Sequence, residues 1–167
     1  MVSGKIPLGY AGEFLVAAKL CLMGYIATLT LKAHPNIDIL VYNPESGKAI
    51  GLQVKTTRQR HKNPSEDEYT IVSCGYPKLD EKLNKKVKNP HVFVHVLKDE
   101  TINYYVVPPE EVKKAVKNRA TKYLETKSEE KRKKIMEGEA DVGPKPLLVK
   151  DIEKYKDNWK LIKELLK

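Results

Sequence analysis

A chain of 167 residues is long enough to bury one hydrophobic core without disulfides, and it fits a single domain over 1–167, with a core over about 1–126 and a lysine-rich, helical segment over about 127–167. Its 31 Lys and Arg against 22 Asp and Glu leave a formal charge of +9, which points to a polyanionic partner, although charges dominated by Lys and Glu are also what a heat-adapted (thermophile) source produces. No run approaches the ~18 apolar residues of a membrane span, no secretory leader opens the chain, and Cys21 and Cys74 stand in no metal or redox spacing, so a soluble, cytoplasmic protein with two buried, reduced thiols is expected.

From Leu8 to Met23 the apolar residues Phe14, Leu15, Ala18 and Leu22 recur at helical spacing, which predicts a helix with one buried face, capped by Gly24. Tyr25–Leu31, rich in Ile, Thr and Leu, predicts a strand running into a loop at His34-Pro35-Asn36. Two strand-like runs, Ile37–Tyr42 and Ala49–Thr57, then flank the turn formers of Asn43–Lys48, which predicts a hairpin. With Pro44–Gly47 as its loop, Asn43 faces Lys48, and counting back along both strands sets Asp38 opposite Gln53. Alternation puts Gly51, Gln53, Lys55 and Thr57 on one face and Ile50, Leu52, Val54 and Thr56 on the other, which is apolar enough to belong to the core.

Further strands are expected at Tyr69–Ser73, Val92–Leu97 and Thr101–Val107, the last two joined by a turn at Lys98–Glu100, for a sheet of five or six strands. Gly75–Asn89, with Pro77 and five lysines, reads as an exposed loop or a short helix. Pro108-Pro109-Glu110-Glu111 is a helix start, with proline in the first turn and acids at the positive end of the dipole, and the helix continues through Val112, Val116 and Tyr123. The charged run Lys127–Lys134 is either a solvated helix or partly disordered. After a loop with Gly138, Gly143, Pro144 and Pro146, the residues Ile152, Tyr155, Trp159, Ile162 and Leu166 mark a closing helix that breaks near Asp157 and docks on the sheet, with Tyr155 and Trp159 as core anchors. The fold class is α/β, a mixed central sheet flanked by helices with a C-terminal helical extension.

The polar residues Asp38, Gln53 and Lys55 meet on the hairpin, and Asp38 is the one carboxylate on that face. A helix bearing Gly12-Glu13, Asp38 at the hairpin and the triplet Gln53-Val54-Lys55 together resemble the PD-(D/E)XK nuclease superfamily, which includes type II restriction enzymes and archaeal Holliday junction resolvases, over about residues 9–60. The resemblance implies a restriction-endonuclease-like sheet and a DNA endonuclease using Mg2+, or Mn2+, held by Asp38, the Gln53 side chain and the Val54 carbonyl, with Glu13 on a metal-bound water. Lys55 would orient or help deprotonate the attacking water and stabilise charge on the phosphate.

Two departures stand out: Gln53 occupies the place of the family's second acid, and Ile37 the place of its proline. An amide is a poorer magnesium ligand than a carboxylate. A catalytically impaired nuclease fold serving as a nucleic-acid-binding subunit therefore stays open, as does a basic interaction protein whose lysines reflect heat adaptation alone. Singly, Glu13 also suits a helix dipole, Asp38 a turn and Lys55 an edge strand. The run Thr56–Lys62 offers Thr57, Arg58, Arg60, His61 and Lys62 to phosphates, or is an ordinary basic loop. His91 and His95 share a strand face and read as packing residues in preference to zinc ligands. Cutting both strands of a duplex would favour a homodimer.

Overall fold

A computed structural model describes residues 5–30, 36–71, 78–138 and 146–167. Helix α1 (Lys5–Leu22) ends at Gly24, whose φ of 91° is the left-handed cap that the sequence anticipates. The chain then enters β1 (Ile26–Leu29), β2 (Ile39–Tyr42) and β3 (Ala49–Arg58). The β2–β3 hairpin closes as predicted: the Asn43 N–H donates to Lys48 O at 2.9 Å, Gly47 takes φ 72°, and Asn43 Oδ1 accepts the Glu45 N–H at 2.9 Å. Its register pairs Tyr42 with Ala49 and Ile39 with Leu52.

From β3 the chain passes through the two-residue strand β4 (Glu68–Tyr69) and α2 (Leu79–Lys86) into β5 (His91–Val96), then turns back as β6 (Ile102–Val107). The central sheet has the order β1-β2-β3-β5-β6, antiparallel throughout except for the parallel β3–β5 pair, whose crossover carries α2. Helices α3 (Pro109–Glu125) and α4 (Glu129–Met136) follow, then the short strand β7 (Leu147–Leu148), α5 (Val149–Ile152) and α6 (Lys160–Leu165). Pro109 opens α3 as expected. Lys127–Lys134 takes the helical alternative, with Ile135 its buried anchor on Leu124.

Both sheet faces are covered, so all six residues of β5 are buried. On one face Leu52, Val54, Val92, Val94 and Val106 pack against Val16 and Leu20 of α1 and against Trp159, Ile162 and Leu166. On the other, Phe93, Tyr105 and Val107 meet Leu83 of α2, Val112 and Val116 of α3, and Ile152. The C-terminal segment joins the two layers by crossing the β6 edge, where Lys156 bridges to Tyr105 and the Asp157 N–H donates to Tyr104 O at 2.8 Å. Asp157 turns the chain with φ 51°, which is the predicted break.

Three expectations are corrected. The buried side of α1 is Gly12, Val16 and Leu20, so Phe14, Ala18 and Leu22 face outward; the helix is apolar nearly all round, and periodicity cannot say which side the sheet takes. Cys21 is exposed for the same reason. Tyr69 belongs to β4, which pairs with β7 in a separate two-stranded sheet. The expectations on Leu31, His34, Pro35, Val72, Ser73, Cys74, Gly143 and Pro144 lie outside the described residues. Among the described residues no helix is long and apolar enough to cross a membrane.

Candidate active site

The pairing of β2 with β3 ends at Ile39, one residue short of Asp38, and this end of β2 is held by Asp38 N–H to Leu52 O at 2.8 Å and Thr30 N–H to Asp38 O at 3.0 Å. The carboxylate of Asp38 therefore turns onto β3, beyond the last paired residue. Its Oδ2 accepts the Val54 N–H at 2.7 Å and an N–H from the side-chain amide of Gln53. Oδ1 accepts no hydrogen bond among the described residues. The Gln53 backbone N–H points the other way, to Pro90 O on the β5 side at 3.0 Å. By alternation the Val54 carbonyl faces the β2 side, past the point where β2 has ended, and opens beside Asp38. Gly51 lies under Ile37, the residue that leads into Asp38: a Cβ would lie 2.8 Å from Ile37 Cδ1 and displace that side chain.

Lys55 lies two residues beyond Gln53 on the same face, half-buried and paired with Phe93. At Lys55 β3 pairs with β5 alone, because its pairing with β2 stops at Leu52. The parallel pairing also sets His91 beside Gln53. His91 is buried, with Nδ1 2.9 Å from Asn89 O. Burial, which outweighs that bond, and the nearby Lys55 ammonium push its pKa down to about 4, so the ring is neutral, donates from Nδ1 and keeps its lone pair on Nε2. Sequence reasoning placed His91 in the packing; no local signal reveals which strand becomes the parallel neighbour of β3.

Glu13 comes from the opposite layer. Its neighbour Gly12 rests against Thr56, on the face of β3 turned away from Gln53 and Lys55. Among the described residues no three His, Cys, Asp or Glu side chains gather as a metal-ligand set. Helices α2 and α3 cover the β5–β6 half of the site's face, while Leu40 and Tyr42 remain exposed on β2, so the β2–β3 half is open.

Of the basic run, Arg58, Arg60, His61 and Lys62 are exposed, while Thr57 is buried and offers a phosphate little surface. A residue that the sequence did not single out holds this run: Asp67 is buried and accepts the backbone N–H groups of Arg60 at 2.8 Å and His61 at 3.1 Å. Its other oxygen lies 2.7 Å from His95 Nε2, which ties the loop to the sheet and accounts for the second histidine of β5. Burial alone would raise the Asp67 carboxyl, but these N–H groups and the imidazole outweigh it and hold the pKa below its ordinary value.

The chain is similar to the solved structure of a bacterial homing endonuclease, I-Ssp6803I, with 14% identity over 98% of this chain and 94% of that one and a TM-score of 0.50. The fold is nuclease-like. No family model matches the chain, and no curated protein matches it in sequence. At this identity the likeness speaks for the fold, so any chemistry has to be argued from the side chains around Asp38.

Proposed function

We propose that the protein is a metal-dependent endonuclease that hydrolyses DNA phosphodiester bonds at a glutamine variant of the PD-(D/E)XK site. The observation that carries this reading is the convergence of Asp38, Gln53 and Val54 where β2 leaves β3, with Lys55 on the same face. The donor set suits a hard divalent cation: Asp38 Oδ1 accepts no hydrogen bond among the described residues, the Val54 carbonyl opens beside it, and Gln53 supplies an amide oxygen once its amide turns over. Mg2+ or Mn2+, when bound, neutralises charge on the phosphate and lowers the pKa of a coordinated water.

Asp38 is then the primary ligand, with Gln53 and Val54 completing the protein's share; Glu13, set in the layer on the other face of β3, is assigned no role. Lys55 orients the attacking water and stabilises the charge that builds on the phosphate oxygens. Arg58, Arg60, His61 and Lys62 hold the flanking backbone, with a salt-dependent affinity. The test is nicking of supercoiled plasmid with each ion. Wild type nicks, Asp38→Ala does not, and Lys55→Met loses turnover by roughly 100-fold or more while retaining binding. Absence of nicking by wild type with both ions, or nicking that survives Asp38→Ala, overturns the proposal.

A second reading has an observation of its own. The Gln53 amide as it stands gives its N–H to Asp38, which neutralises the need for a cation instead of creating one. On that reading the protein is a nucleic-acid-binding subunit that has lost turnover: DNA binding falls steeply with salt, and no substrate is cut. Cleavage by wild type that depends on Asp38 eliminates it.

A further inference from the structure

We infer that the outward face of α1 is the interface of a symmetric dimer, covered by the same face of a second copy of this chain. Tyr10, Phe14, Ala18 and Leu22 follow one another at four-residue spacing on the side of α1 opposite Gly12, Val16 and Leu20, and Ala11 and Cys21 lie along the same side. Phe14 is 61% and Leu22 87% exposed. This side carries no charged residue in a chain that is 32% charged. Apart from Lys5, Glu13 and Lys19, α1 is apolar, yet the sheet covers only one of its two apolar sides.

The absence of cations argues against a nucleic-acid phosphate as the occupant, and it argues against an anionic lipid surface. Self-complementarity argues for a second copy. A twofold axis crossing α1 at the level of Val16 runs the two helices antiparallel and sets Phe14 over Ala18 of the second copy and Tyr10 against Leu22, large side chains over smaller ones. Large apolar side chains present roughly 150–250 Å² each, so at these exposures the patch offers on the order of 400 Å². That is within the range of the largest patch on a typical monomer and about half of the ~800 Å² that each partner buries in a standard interface. The apolar half is the centre that such an interface needs, and the helix flanks supply a rim.

The inference goes beyond the nuclease reading and does not depend on it, because self-association is measured without metal or nucleic acid. Sedimentation velocity on the full chain over a concentration series should show a species of twice the 19.0 kDa chain mass. Phe14→Glu and Leu22→Glu should each weaken it by at least ~30-fold while leaving the circular dichroism and the melting of the monomer unchanged, since neither side chain is buried within one chain. The antiparallel register has its own test in a Cys74→Ser background. The twofold axis puts residue 11 level with Cys21 of the second copy, so Ala11→Cys should give a covalent dimer on mild oxidation. Native Cys21 alone should not, because its two copies stand roughly 15 Å apart along the axis. A wild type that stays monomeric, or a dimer that both glutamate variants leave intact, overturns the interface. A dimer that they disrupt but that Ala11→Cys fails to cross-link overturns the antiparallel arrangement.

Discussion

Replacing Gly12 by alanine tests how α1 is seated on the sheet. A Cβ at residue 12 would fall on the Oγ1 of Thr56, with Thr56 Cβ at 3.0 Å and Cγ2 at 3.1 Å, and no rotamer of a β-branched side chain clears all three. Overpacking of this kind costs about 1–3 kcal/mol, here at the upper end, and the better helix propensity of alanine returns about 1 kcal/mol. The net loss of about 2 kcal/mol corresponds to a fall in melting temperature of about 4–8 °C for a domain of this size. Thr56 Oγ1 is buried without a hydrogen-bond partner among the described residues, so Thr56→Ala breaks no bond there and should by itself change stability by no more than about 1 kcal/mol. The double variant should then recover most of the loss, with a coupling of about 2 kcal/mol in a cycle read by thermal and urea unfolding. A Gly12→Ala protein that melts at or above the wild-type temperature, or a double variant that recovers nothing, refutes this seating of α1 and with it the placement of Glu13.

Two further predictions concern protons. Asp67→Ala removes the acceptor for Arg60, His61 and His95 and should cost about 3–5 kcal/mol, together with weaker DNA binding as the basic run loosens. Because the folded pKa of Asp67 is depressed, its contribution is fully present above the ordinary value of 3.8 and is lost as pH falls through the lower folded value, so the acid limb of wild-type unfolding should be steeper than that of the variant. His91 has the complementary behaviour: between pH 6.5 and about 4 the unfolded chain binds a proton that the folded protein excludes, so stability rises with pH over that window by roughly 3 kcal/mol. Urea midpoints of the metal-free protein at the two ends should show this slope, and His91→Phe should flatten it; equal slopes would place the imidazole in water.

The hairpin was legible because everything that sets it is local. Asn43, Gly47 and Lys48 fix the turn, the turn fixes the register, and the register delivers Asp38 to Gln53 at a distance of a few residues along each strand. The sidedness of α1 was not legible, because Phe14, Ala18 and Leu22 make as good a stripe as Gly12, Val16 and Leu20. What decides between them is the closeness with which only glycine lets α1 approach Thr56. The place of His91 beside Gln53 and the part played by Asp67 were not legible for a different reason. Their roles depend on the parallel β3–β5 pairing and on a loop returning to His95, contacts between segments whose sequences carry no mark of each other.

The central claim is that Asp38, Gln53 and Val54 form one cation site served by Lys55. A crystal soaked in manganese, measured for anomalous scattering, tests it most directly. A peak bound to Asp38 Oδ1, with the Gln53 amide turned to present its oxygen, is the predicted result. No peak there, with the Gln53 N–H still on Asp38 at saturating manganese, would contradict it.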